Sequence, residues 1–333
     1  MYRSNLIYSY QKGMSLVELM VAMVIGLFLT TGVFAMFGMS SSNVTTTSQY
    51  NQLQENGRVA LAILERDLSQ LGFMGDITGT DFVIGSNATI SPGTAVENDC
   101  IGDGLNNLSL PNNQPAHFRR LWGYENGVSS QSFACLTGVN SNTDVIQIKR
   151  FVGPSVEVKD IKSTNYYVSA TSSEAVFFSG AGAVPILENA RIWEFQHHIY
   201  YIKDDADGIP ILRRRTLTTG NGMSNEEQLV EGIENMRVLY GFDNDGDDTP
   251  DTFLSADEVT SLMWDNQEFQ RLVALKVYLL VRSTQEDKSY TNVTKYQLGD
   301  KGTNAKIPVK EDNFRRKVLS TTVVLENPIL IRS

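Results

Sequence analysis

Three groups of residues in this 333-residue chain have types and spacings that can do chemistry. The first is a lone acid, Glu18, at the head of residues 19–39, which carry no charge. A carboxylate beside such an apolar run is costly in lipid, so it reads as functional. The second is a loop with five aspartates in the stretch Asp243-Asn244-Asp245-Gly246-Asp247-Asp248-Thr249-Pro250-Asp251. Asp243, Asp245, Asp247 and Asp251 fall at positions 1, 3, 5 and 9 of an oxygen-ligand loop, and the Thr249 carbonyl falls at position 7. Alternate residues of a tight turn aim oxygens inward, as a hard cation requires, so Ca²⁺ is the expected ligand. The match to an EF-hand is partial: position 6 is Asp248 rather than Gly, position 12 is Leu254 rather than Glu, and Asp257 or Glu258 remains to close the site. A solvated acidic turn is the alternative. The third group is the pair Cys100 and Cys135, which reads as a disulfide in an exported protein and as two buried thiols in a cytosolic one.

The histidines offer less. His117 stands apart, and His197 and His198 are adjacent in a strand-like segment, so they point to opposite faces and cannot share a ligand. No Gly-x-Ser-x-Gly, phosphate loop or Cys–His pair at useful spacing occurs. No enzymatic activity is expected.

The elements that must position these groups start with the apolar run. As a helix, residues 19–39 reach about 31 Å at about 1.5 Å per residue, enough to cross a bilayer. Arg3 and Lys12 precede the run and the next basic residue is Arg58. That asymmetry puts the N-terminus in the cytoplasm and the body outside it, where a disulfide is favoured. Gly38 and the serines at 40–42 follow the run, which leaves an ordinary signal peptide as the other reading. Net charge is −10, and setting aside the two leader cations leaves −12 for the rest. So acidic a body has nothing to displace counterions from phosphates, so direct nucleic-acid binding is not expected.

Beyond residue 40 a helical pattern resumes. Leu53, Gly57, Ala60, Leu61, Leu64, Leu68 and Leu71 recur at spacings of three and four, and Gly72 is placed to end the run. Residues 74–142 are rich in Gly, Asn, Ser and Pro and read as loops with short strands. Strand patterns follow at 143–150, 190–203, 209–216, 237–242, 273–281 and 318–325, with the acidic turn 204–208 closing a hairpin. One long helix followed by a mostly antiparallel sheet gives an α+β fold. The expected divisions are 1–13, 14–39, 40–73, 74–142 and 143–333.

The segment Lys12-Gly13-Met14-Ser15-Leu16-Val17-Glu18 closely resembles the prepilin signature, a basic leader ending in Gly and then an apolar helix with Glu at its fifth position. The segment Glu55-Asn56-Gly57-Arg58-Val59-Ala60-Leu61, then Arg66-Asp67-Leu68 and Gly72-Phe73, is similar to the PilW family of type IV pilus minor pilins. Residues 230–233, 271–283, and 315–317 leading into 320–323 extend that likeness. Met14 stands where many pilins have Phe.

The resemblance implies a pilin-like fold, cleavage between Gly13 and Met14 by a prepilin peptidase, and methylation of the new Met14 amine. It implies an inner-membrane subunit with a periplasmic body that later enters a pilus, with other minor pilins, the major pilin and a tip adhesin as partners. Its implied work is priming pilus assembly, in support of adhesion, twitching motility and DNA uptake. In an array of such helices, Glu18 of one subunit is expected to pair with the Met14 amine of a neighbour, which neutralises two charges costly in an apolar core. A minor pseudopilin of a type II secretion system shares the helix signature. A membrane-anchored periplasmic binding or catalytic domain would keep its leader.

Overall fold

Apolar run and amphipathic stripe form one helix of 53 residues, α1 (Leu16–Leu68). The computed structural model describes residues 13–77, 80–104, 107–112, 117–265, 270–300 and 310–327. The helix stops at Leu68, and Gly72, with φ of 81°, lies in the turns that follow it. The chain divides after Tyr50 into two compact units.

In the first unit, Leu16–Ser40 is long and apolar enough to cross a membrane, and its side chains lie exposed. Thr30 and Thr31 turn their hydroxyls back onto the carbonyls of Gly26 and Leu27, at 2.6 and 2.8 Å. Those bonds leave no hydroxyl proton unpaired in an apolar setting.

The second unit holds two sheets. The larger contains β1 (Ala88–Ile90), β2 (Leu121–Glu125), β3 (Asp144–Val152), β4 (Tyr166–Ala170), β5 (Ala175–Ser179), β6 (Arg191–Asp204), β7 (Pro210–Thr216) and β8 (Glu226–Glu231). Its order is β1-β5-β4-β6-β3-β2, with β7 and β8 added along the far end of β6. Every pairing is antiparallel except β1 with β5. The smaller sheet runs β10 (Thr252–Ser255), β9 (Ile233–Asp243), β11 (Arg271–Arg282) and β12 (Arg316–Val324), all antiparallel. A one-turn helix, α2 (Ser261–Trp264), is capped by the Thr260 hydroxyl.

The stripe on α1 has a clear purpose. Leu53, Ala60, Leu64 and Leu68 are buried with Ile146, Ile148, Tyr200 and Ile202 of the larger sheet and Val277, Leu279 and Val281 of the smaller one. Gly57 lies on that face where two neighbouring side chains approach the helix closely. A Cβ there would meet Leu319 Cδ1 at 2.2 Å and Val281 Cγ2 at 2.9 Å.

Asp67 also faces the sheet. Its Oδ1 accepts from Arg150 Nε at 2.7 Å, and its Oδ2 accepts from the Tyr200 hydroxyl at 2.7 Å and meets His198 Nδ1 at 2.5 Å. Burial pushes this carboxyl up, but His198, Arg150 and Tyr200 outweigh burial and hold it below the usual carboxylate range. The group pins the end of α1 to β3 and β6.

The opposite face of the larger sheet carries a second core, with Phe82, Phe118, Phe151, Phe177 and Phe195 in edge-on and stacked contacts and Trp122 packed edge-on against Phe133. Residues 74–142 supply much of its cover, and β1 and β2 are the strands found there among the described residues. Cys100 and Cys135 are joined in this cover, with Cα atoms 5.3 Å apart. Closing that loop stabilises by about 4 kcal/mol on loop-entropy grounds.

Candidate functional site

The processing motif sits at the head of α1. Gly13 is exposed and a side chain added to it would meet nothing within 4 Å, so the backbone is open to a peptidase. Met14 is 74% exposed. Glu18 is held by a contact that the sequence reading passed over. Ser15 and Glu18 form a reciprocal capping box: the Ser15 N–H donates to Glu18 Oε2 at 2.8 Å, and the Glu18 N–H donates to Ser15 Oγ at 3.2 Å. The pattern Ser-x-x-Glu before an apolar run was legible in the chain. The carboxylate expected to act between subunits therefore also starts its own helix.

The acidic loop joins β9 to β10. Asp243 closes β9 and is fully buried. Its Oδ1 accepts from the N–H groups of Asp245 and Gly246, at 3.1 and 2.6 Å, and its Oδ2 accepts from the Asp248 N–H at 3.0 Å and from Arg271 Nη2 at 2.7 Å. Burial pushes the Asp243 carboxyl up, but the Gly246 N–H, Arg271 and the other backbone donors outweigh it and hold it at about 2. Asp245 Oδ1 accepts from the Asp247 N–H at 3.3 Å, and Asp247 Oδ1 accepts from the Thr249 N–H at 2.8 Å. Asp251 Oδ2 accepts from the Asn244 N–H at 2.7 Å.

Three of the proposed ligands converge. One carboxylate oxygen from each of Asp243, Asp245 and Asp247 lies within 4.8 Å of the others. The Asp247 N–H lowers the Asp245 carboxyl, yet the charges of Asp247, Asp251 and Asp243, with burial, win and raise it. Glu258, one of the two closing candidates, is turned away, its Oε2 accepting from the Ser255 N–H and hydroxyl. Asp257 is bonded to Ser129 of the other sheet's cover. Sequence reading also missed Arg271, at the start of β11, which bridges Asp243 and Asp248 at 2.7 and 2.9 Å. Only the β9–β11 register brings it to the loop, so no local pattern announced it.

The histidines part company as adjacency in a strand requires. His198 meets Asp67 on the helix face, and His197 meets Ser109 on the other.

Comparisons with known proteins find matches toward both ends of the chain. A profile of the prokaryotic N-terminal methylation motif matches residues 8–34. A profile described as type IV pilus-assembly protein W matches residues 199–327. Among solved structures, a type IV-like pilin from Thermus thermophilus aligns over 84% of this chain and 99% of its own, at 13% identity and a TM-score of 0.36. No curated protein matches the chain.

Proposed function

The chain is a PilW-like type IV pilin, and from that premise we propose that it primes pilus assembly as one of a complex of minor pilins at the pilus tip. It is anchored in the inner membrane with a periplasmic body, and is later part of the pilus. Its work is structural. The observation that supports the priming role is where the body matches. The N-terminal motif serves any subunit that is cleaved and packed by its helix, whereas residues 199–327 match an assembly protein.

In this reading the prepilin peptidase cuts after Gly13 and the Met14 amine is methylated. Extraction from the bilayer exchanges lipid contacts for helix–helix contacts, and Glu18 sets the register by meeting the amine of a neighbour. Other minor pilins, the major pilin and a tip adhesin are the partners. Adhesion, twitching motility and DNA uptake follow from the pilus, with no direct DNA contact by this acidic body.

The test is Glu18→Ala on the chromosome, scored by pilus counts and by the subunit's presence in sheared pili. Loss of both, with normal membrane levels of the protein, supports the reading, and unchanged piliation refutes it. Mass spectrometry of the mature N-terminus is expected to find methylated Met14, whereas an intact Met1 removes the cleavage step. A deletion strain that keeps its pili but loses protein secretion identifies a pseudopilus subunit instead.

We further propose that Asp243, Asp245 and Asp247, with the Thr249 carbonyl and Asp251, hold Ca²⁺. The donor set is all hard oxygen, and the crowding that raises Asp245 is what a divalent cation relieves. Arg271 already neutralises part of the loop, so the gain is modest. Thermal melts in EGTA and in millimolar Ca²⁺ decide it, and equal melting temperatures remove the ion.

A further inference from the structure

On the face of the larger sheet away from α1, Lys149 of β3 and His197 of β6 stand directly opposite each other in the ladder, and both are fully buried. The Lys149 ammonium lies 4.5 Å from the Phe118 ring centre, donates to the Leu108 carbonyl, and is 3.5 Å from Asn107 Oδ1. Among the described residues no carboxylate lies within ion-pair distance of it. Burial pushes its pKa down to about 7, with Asp99 opposing and Arg119 assisting. Lowered in this way, the amine is in part uncharged at neutral pH, which makes it a nucleophile.

Asn107 is just as buried. Its Oδ1 faces the amine while its Nδ2 has no hydrogen-bond partner. The amide is wedged in place: even a Cβ on Gly102 would come within 2.4 Å of Nδ2.

The hydrogen bonds around His197 settle its tautomer. Ser109 gives its hydroxyl proton to Asp99 Oδ1 at 2.5 Å and its N–H to Asp99 Oδ2 at 2.9 Å. Having given its one hydroxyl proton, Ser109 Oγ accepts from His197 Nδ1 at 2.7 Å. The other ring nitrogen, Nε2, therefore carries a lone pair, and it is buried without a partner. Burial and the neighbouring Lys149 push His197 well below its ordinary value, so the ring is neutral.

We propose that Lys149 and Asn107 condense into an intramolecular amide bond. The Nζ lone pair attacks Asn107 Cγ. A proton passes from Nζ to His197 Nε2 and from there to the departing nitrogen. The Cγ–Nδ2 bond breaks as the Nζ–Cγ bond forms, and ammonia leaves. Oδ1 stays on the new amide, and no oxidant, reductant or second substrate is consumed. The product resolves two misfits of the unreacted site, the desolvated amine and the unpartnered amide nitrogen, and its remaining N–H keeps the Leu108 carbonyl as acceptor. The bond ties residue 107, inside the disulfide-closed loop, to the middle of the larger sheet.

Mass spectrometry of the full chain, extracted in detergent and reduced, tests this. The expected mass is below that of the processed chain, cut after Gly13 and methylated at Met14, by one ammonia, about 17 Da, with a branched tryptic peptide joining the Asn107 and Lys149 segments. Lys149→Met is expected to restore the ammonia and abolish the branch. A wild-type mass with no ammonia missing overturns the proposal. So does a loss of ammonia without a branch, which marks a succinimide, or a loss that persists in Lys149→Met. Each readout is a mass and does not depend on the variant folding.

Discussion

His197 and His198 are neighbours on β6, yet the two faces of that strand treat buried charge in opposite ways. On the helix face, Asp67 gathers Arg150, His198 and Tyr200, and none of these four side chains is left with a buried unpartnered atom. On the other face, Lys149 has no such carboxylate, and Asn107 Nδ2 and His197 Nε2 lack partners. A saturated group of charges is a clamp, since each member holds the others in place. An unsaturated one is a reactive site, since what it lacks can be gained by making a bond.

The largest break in this comparison is Asp67→Ala. It leaves the Arg150 guanidinium buried without its carboxylate and is expected to cost about 3–5 kcal/mol in denaturant unfolding of the full chain. Lys149→Met should follow at about 3 kcal/mol, because it deletes a covalent loop closure. Were Lys149 only a packed ammonium, that same change would be neutral or stabilising, since an apolar side chain of similar size replaces a desolvated charge.

Acid separates the faces more gently. Asp67 and Asp243 both have lowered carboxyls, so their contribution is complete above the usual carboxylate range near pH 4 and fades as pH falls below it. For Asp243 the loss runs from about 4 down to about 2. Melting temperatures that stay flat from pH 5 to pH 2 would contradict the clamp. The smallest effect sits on the alkaline side. A free Lys149, lowered to about 7, binds fewer protons folded than unfolded, so stability would rise with pH from about 7 towards 10. An amide does not titrate, and the expected outcome is no such rise in the wild-type chain.

Much of this architecture was written locally. The spacing of Leu53, Ala60, Leu64 and Leu68 marked the buried face of α1, and alternation marked β6 and β11. The turn at residues 204–208 does join β6 to β7 as a hairpin. The even cysteine pair, once placed outside the cytoplasm, reads correctly as a bridge. What could not be read was pairing at a distance. Asp67 meets His198 from 131 residues away, and Arg271 meets Asp243 from 28. The division into two sheets and the parallel pairing of β1 with β5 depend on register, which hydrophobic pattern alone does not specify. Asp67 was nevertheless visible on the stripe, three residues after Leu64, as an acid where an apolar residue belongs. Ser15 was visible in the same way, three residues before Glu18.

The bonds between Ser15 and Glu18 bear on timing. Whatever cation claims that carboxylate must first compete with a serine already in possession, an exchange worth about 1 kcal/mol for a typical helix cap. A lone subunit waiting in the bilayer thus carries its acid occupied rather than bare. Recruitment into a growing fibre becomes a change of partner, which rewards a correctly seated newcomer and discounts a glancing encounter.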